Sequence, residues 1–144
     1  MKNLLCLWLA IITSLTAFAA DKPGDHKTLQ GTWLPVQAEL GGQPMSAAVL
    51  KTISLKLAEN EYHVLVAGSP DDGTWSIDPA TSPKSMTVVG VKGPNAGKTF
   101  PCIYELDADT LRICYDLSGA KRPAEFKTAA GTKLYLVTYR RKHG

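Results

Sequence analysis

The sequence predicts an all-β domain, a single antiparallel up-and-down barrel of about eight strands. Three observations predict it. No long segment keeps a helical period; short alternating runs rich in Val, Ile, Thr, Tyr and Trp recur instead. Gly, Pro, Asn and Asp divide these runs at close intervals, the pattern of antiparallel strands and turns. Eight such runs joined mostly by tight turns suit a closed sheet, which leaves no open edge. A two-sheet sandwich is the alternative, because strand number alone does not separate the two.

The chain opens on Met1-Lys2-Asn3 and an apolar run from Leu4 to Ala19, interrupted by Thr13, Ser14 and Thr16. One positive charge, an apolar core and small residues at Ala17 and Ala19 predict a signal peptide over residues 1–19. Cleavage after Ala20 would set the bulky Phe18 at the third position back, which disfavours it. The rival is an uncleaved anchor, but the run is short for a span of ~20 residues and no basic cluster follows. Cys6 lies too early for a lipoprotein attachment site. The expectation is export, to a periplasm or to the medium, with no transmembrane span after cleavage. Residues 20–27 read as a flexible leader and 28–141 as the barrel domain. The 125 residues left after cleavage suffice for one core. Loss of Lys2 lowers the net charge from +3 to +2. That charge is too weak and scattered to point to nucleic acid or an acidic membrane surface, and a monomer is expected.

The strands follow in order. Thr32–Leu40 is the first, ended by Gly41-Gly42, and Met45–Lys51 suits one helical turn. Thr52–Ala58 alternates Ile53, Leu55 and Leu57 against Ser54 and Lys56. Glu61–Ala67 follows a tight Glu59-Asn60 turn, and Gly73–Asp78 follows the polar loop Ser69–Asp72. Ser85–Val91, Lys98–Leu106, Thr110–Leu117 and Thr132–Arg140 complete eight.

Gly31-Thr32-Trp33 opens the first strand and Arg140-Arg141 closes the last. This pairing resembles lipocalin-like (calycin-type) barrels, in which a Gly-x-Trp plugs one end and an Arg from the last strand lies over the indole. The resemblance gives Gly31, Trp33 and Arg140, or the adjacent Arg141, a structural closing role, with Asp25–Leu29 as a short helical lead-in. A resemblance over residues 27–141 rests on five segments in order: Leu29–Trp33, Gly93–Thr99, Ile103–Asp107, Asp109–Leu111 and Arg122–Phe126. They are similar to a small exported lipocalin-like conserved domain, abundant in planctomycetes and related bacteria, for which no biochemical activity is assigned. The resemblance therefore implies a fold and export but carries over no functional residue. Ala108 departs from the acidic residue or glycine usual between the two hairpin aspartates.

Gly93-Pro94-Asn95-Ala96-Gly97-Lys98-Thr99 looks like a phosphate-binding loop, but one residue is missing between the first Gly and Gly-Lys-Thr. It also joins two strands rather than a strand and a helix, so a hairpin loop is expected and nucleotide binding is not. Cys102 and Cys114 lie on the arms of one hairpin around Asp107–Thr110. Pairing Leu106 with Leu111, and Tyr104 with Ile113, sets Glu105 across from Arg112. Cys102 then faces Tyr115, Cys114 faces Ile103, and the thiols point to opposite faces, which favours two free thiols, Cys102 the more buried. His26, His63 and His143 have no metal-ligand spacing, and Asp107, Asp109, Asp71 and Asp72 offer too few oxygens for Ca²⁺. No metal and no cofactor are expected, and no catalytic constellation stands out.

Two non-catalytic readings lead, and an enzyme would require a deep pocket in which acids from distant loops converge. The first is a non-catalytic module that holds a small apolar ligand inside the barrel, with Tyr62, Trp75 and Tyr104 as inward aromatics. The second is an interaction or inhibitor module of the envelope, acting through the loops at Gly68–Asp72, Asp78–Lys84 and Ser118–Pro123. An open interior favours the first; a filled one favours the second.

Overall fold

Strand pairing closes on itself: β1 (Gly31–Leu40) hydrogen-bonds both to β3 (Ile53–Ala58) and to β9 (Leu134–Arg141). Between them run β4 (Glu61–Val66), β5 (Ser69–Asp78), β6 (Lys84–Lys92), β7 (Thr99–Asp107) and β8 (Thr110–Asp116), each antiparallel to its sequence neighbour. The result is an eight-stranded up-and-down barrel, not a sandwich. A two-residue strand, β2 (Gln43–Pro44), folds back on the end of β1. Two short helices, α1 (Asp25–Leu29) and α2 (Ala47–Leu50), complete the elements. The computed structural model describes residues 24–144, so the predicted signal peptide and most of the leader lie outside the described residues.

Alternation decides which side chains face the interior. Ile53, Leu55 and Leu57 of β3 are buried while Lys56 is exposed. Tyr62, Asp71, Trp75, Met86, Val88, Leu111, Ile113, Val137 and Tyr139 continue the buried face around the barrel. The β7–β8 register is the predicted one, with Leu106 opposite Leu111, Tyr104 opposite Ile113, Glu105 opposite Arg112, and Cys102 opposite Tyr115. Both thiols are free and out of contact with solvent, and Cys102 is the deeper of the two, packed in the main core cluster to which Cys114 does not belong.

Cys114 is buried on the outside of the barrel because residues 117–133 strap that face. Arg122 donates from Nη1 to the carbonyls of Met86 (2.6 Å) and Cys102 (2.7 Å), and Phe126 packs under the Arg112 guanidinium at 4.4 Å. Asp116 anchors the start of the strap by accepting from the backbone N–H of Ser118 and of Lys121 at 2.9 and 2.8 Å. The predicted Ser118–Pro123 recognition loop is therefore pinned to the sheet. Arg122 and Phe126 hold the strap there, since a multi-donor guanidinium satisfies carbonyls that the ladder leaves with a spare lone pair.

Two boundaries differ from expectation. Helix α1 spans Asp25–Leu29, the helical lead-in that the resemblance implies, so it overlaps the leader drawn over residues 20–27; burial of Leu29 and the contacts of Asp25 and His26 hold this turn. Ser69–Asp72 is strand rather than loop. The turn is Ala67-Gly68, both at positive φ (50° and 81°), and β5 pairs with β4 from Val66 opposite Ser69. Asp71 can sit in the ladder because its inward side chain finds hydrogen-bond donors.

Candidate functional site

One end of the barrel is sealed. Trp33 is fully buried, and its indole N–H donates to the Leu29 carbonyl at 2.9 Å. The Arg141 guanidinium lies over the indole, 4.2 Å from the ring centroid. It also donates to the carbonyls of Gln30 (2.7 Å) and Thr28 (2.6 Å), capping the C-terminal end of α1. Gly31 makes this possible. Its φ is +127°, and a Cβ there would stand 3.0 Å from Arg141 Nη1. Arg141, not Arg140, thus closes the barrel. Trp33 pairs with Arg141 across the β1–β9 ladder, while Arg140 pairs with Leu34, one step along, and points outward to solvent.

The seal continues across the hairpin tips. The side-chain oxygen of Gln30 accepts from the Glu59 N–H at 2.6 Å, and its amide donates to the Glu59 carbonyl at 3.1 Å. The His26 ring stacks on Trp75 at 4.8 Å. Asp25 accepts from Lys84 Nζ and from the Tyr104 hydroxyl, both at 2.7 Å. Burial opposes the charge of Asp25, but these two donors prevail and hold its carboxyl below the usual range.

Above this floor lies a cavity of about 520 Å³. Leu55, Leu57, Val64, Met86, Val88 and Phe100 form most of its wall, with Trp75 among them. The rim is built by the tips of the β4–β5, β6–β7 and β8–β9 connections: Val66, Ser69, Pro94, Asn95 and Leu117. The cavity therefore opens at the end opposite Trp33.

Two polar groups stand in the apolar wall. On one side the Tyr115 and Tyr139 hydroxyls share a hydrogen bond of 3.0 Å, and the Tyr115 and Tyr135 rings stack at 5.5 Å. Burial pushes the Tyr135 hydroxyl up to about 12 and raises those of Tyr115 and Tyr139 well above their ordinary value. On the other side Asp71, only 8% exposed, accepts from the Tyr62 hydroxyl (3.3 Å), the Asn95 backbone N–H (3.2 Å) and the Asn95 side-chain amide (2.8 Å). Burial, and then the negative charge of Asp71, push the Tyr62 hydroxyl well above its ordinary value. The Gly93–Thr99 segment is a hairpin tip, and its Asn95 folds inward over Gly90, where a Cβ would meet the Asn95 carbonyl oxygen at 1.9 Å.

No family model matches the chain, and none of the curated proteins matches it. Among solved structures it is similar to a DUF4847 family protein from Bacteroides vulgatus, with a TM-score of 0.49 and 12% identity, over 81% of this chain and 96% of that one. So distant a likeness carries nothing about activity over to this chain.

Of the three aromatics expected in the interior, the structure brings Tyr62 and Trp75 to the cavity wall. Tyr104 is a correction. It is buried, but its hydroxyl is drawn to Asp25 beneath the floor and it does not line the cavity. Sequence reasoning missed Asp71, Asn95 and the tyrosines of β8 and β9. The alternation Asp71, Gly73, Trp75 and the alternation Tyr135, Val137, Tyr139 were the available signals. Reading Ser69–Asp72 as a loop hid the first. Among the described residues no cluster of three or more metal-ligating side chains occurs, and no helix is long and apolar enough to cross a membrane.

Proposed function

We propose that this protein is an exported, non-catalytic carrier of the lipocalin-like kind its motifs resemble, holding one small, largely apolar molecule inside the barrel. The observation that carries this reading is the cavity. Its volume falls within the range of pockets that enclose a drug-sized molecule, and apolar walls with a few fixed polar groups are the usual make-up of such sites. Those polar groups hydrogen-bond one another, Tyr62 to Asp71 and Tyr115 to Tyr139, rather than pairing a nucleophile with a base. That supports binding over chemistry. The envelope interaction module is the reading that a filled interior would have favoured.

Native mass spectrometry of the protein purified from its own host tests the proposal. The expected result is a retained mass in the wild type that is lost in Val88→Trp, whose indole would occupy the cavity. A bare protein that also takes up no apolar probe would overturn it.

A further inference from the structure

From Asp71 we infer that the ligand is an amphiphilic amine: an apolar body inside the barrel with a cationic head at Asp71. This rests on the carrier reading above and names the chemical class. Four of the described acids have a Lys or Arg beside them: Asp25 has Lys84, Asp109 has Arg141, Glu105 has Arg112 and Glu125 has Lys127. Asp71 takes part in none of the described ion pairs. Asp116 is also buried without a cation, but it is bound up in its own turn and does not line the cavity.

Placing a carboxylate in an apolar wall is costly unless it is paired or fully hydrogen-bonded. Asp71 receives three hydrogen bonds, all from neutral donors: two reach Oδ2, and Oδ1 accepts only the Asn95 N–H at 3.2 Å. A carboxylate has about four acceptor sites, so Oδ1 has room for another donor. An ammonium group supplies that donor together with the missing charge. The aromatic ring of Tyr62, whose hydroxyl bonds Asp71, lines the same cavity.

Lys98 is the one basic residue of the cavity lining, and it is exposed. Its charge is solvated, so it gives an anionic head far less than Asp71 gives a cationic one. A carboxylate ligand would also lie beside Asp71 and meet repulsion.

Three probes with one apolar body decide the matter: decylamine, decanol and decanoate, each below its aggregation concentration, followed by calorimetry and by Trp75 fluorescence. Decanol reads the cavity alone, and decylamine adds the cation. The amine is expected to bind about 10–100-fold more tightly than the alcohol, the range for a charge-assisted hydrogen bond. Decanoate is expected to bind most weakly. Asp71→Asn, which keeps an acceptor for Tyr62, should bring decylamine down to the level of decanol and leave decanol unchanged. Should that variant fold poorly, the amine-to-alcohol ratio in the wild type still decides. Equal binding of amine and alcohol overturns this inference while the carrier reading stands. Tightest binding of decanoate, lost in Lys98→Gln, overturns it in favour of an anion. Failure of all three probes overturns both.

Discussion

At the α1 end of the barrel, every polar group around Trp33 has a partner. The indole N–H, the Arg141 guanidinium, the Gln30 side chain and the Asp25 carboxylate are each held by named contacts between 2.6 and 3.2 Å. At the other end the same barrel leaves about 520 Å³ open, and one buried carboxylate there has no cation. The two ends use the same strands and the same alternation, and the rim is not loosely built, since Asn95 is tied to Asp71 by two hydrogen bonds. The difference lies in what fills the interior. Trp33, Leu29 and the helix cap occupy the space at one end; the other end has side chains on its wall but none across its middle. A barrel of eight strands can be filled or can enclose one small ligand, and this chain does each at a different end.

The sharpest way to break the comparison is to remove volume at each end. Trp33→Ala should cost about 3–5 kcal/mol, because it empties a sealed and fully packed site. Val88→Ala removes wall from a space that is already open, so it should cost only about 1 kcal/mol. Urea unfolding of both variants measures the contrast, and equal losses would show that the cavity end is packed as tightly as the seal.

Arginine substitutions come next. Arg141→Ala removes a cation–π contact and uncaps two carbonyls, so a loss of about 2–3 kcal/mol is expected. Arg140→Ala, at an exposed position one residue away, should change stability by no more than about 0.5 kcal/mol. The reverse order would mean that the last strand is shifted by one residue against β1.

The tyrosine cluster at the open end gives the smallest effect, a pH dependence seen only on the alkaline side. Tyr135 is raised from the ordinary 10.0 to about 12 by burial. The folded state therefore keeps a proton that the unfolded state releases first. This contribution is fully present below pH 10 and is lost as pH rises through about 12. Denaturation midpoints measured from pH 8 to 12 should fall on the alkaline side, and Tyr135→Phe should make that fall shallower. Raised Tyr115 and Tyr139 hydroxyls act in the same direction, so some slope should persist in the single variant.

Much of the sealed end was legible along the chain. Gly31 and Trp33 are two residues apart, and an arginine on the last strand completes the pattern, although the choice between Arg140 and Arg141 needed the ladder. The β7–β8 register was legible too, because a one-residue slip would turn Leu106, Leu111, Ile113 and Tyr104 away from the core. The Ser118–Pro123 segment was not. Its polar composition reads as a free loop, while its role comes from carbonyls on β6 and β7 that lie 36 and 20 residues from Arg122 in sequence.

The sequence by itself determined most of the strands, their alternation and hence the all-β class, because side-chain period and turn chemistry are local properties that each segment carries alone. Closure into a barrel rather than a sandwich showed only in the pairing of β1 with both β3 and β9. The tertiary structure decided that Arg141 rather than Arg140 covers Trp33, that Tyr104 belongs to the floor, and that Asp71, Tyr62 and Asn95 meet at one wall. It also decided that the interior is open. Whether inward side chains meet across a barrel depends on its diameter and on which residues face one another over the gap, and those distances exist only once the sheet has closed.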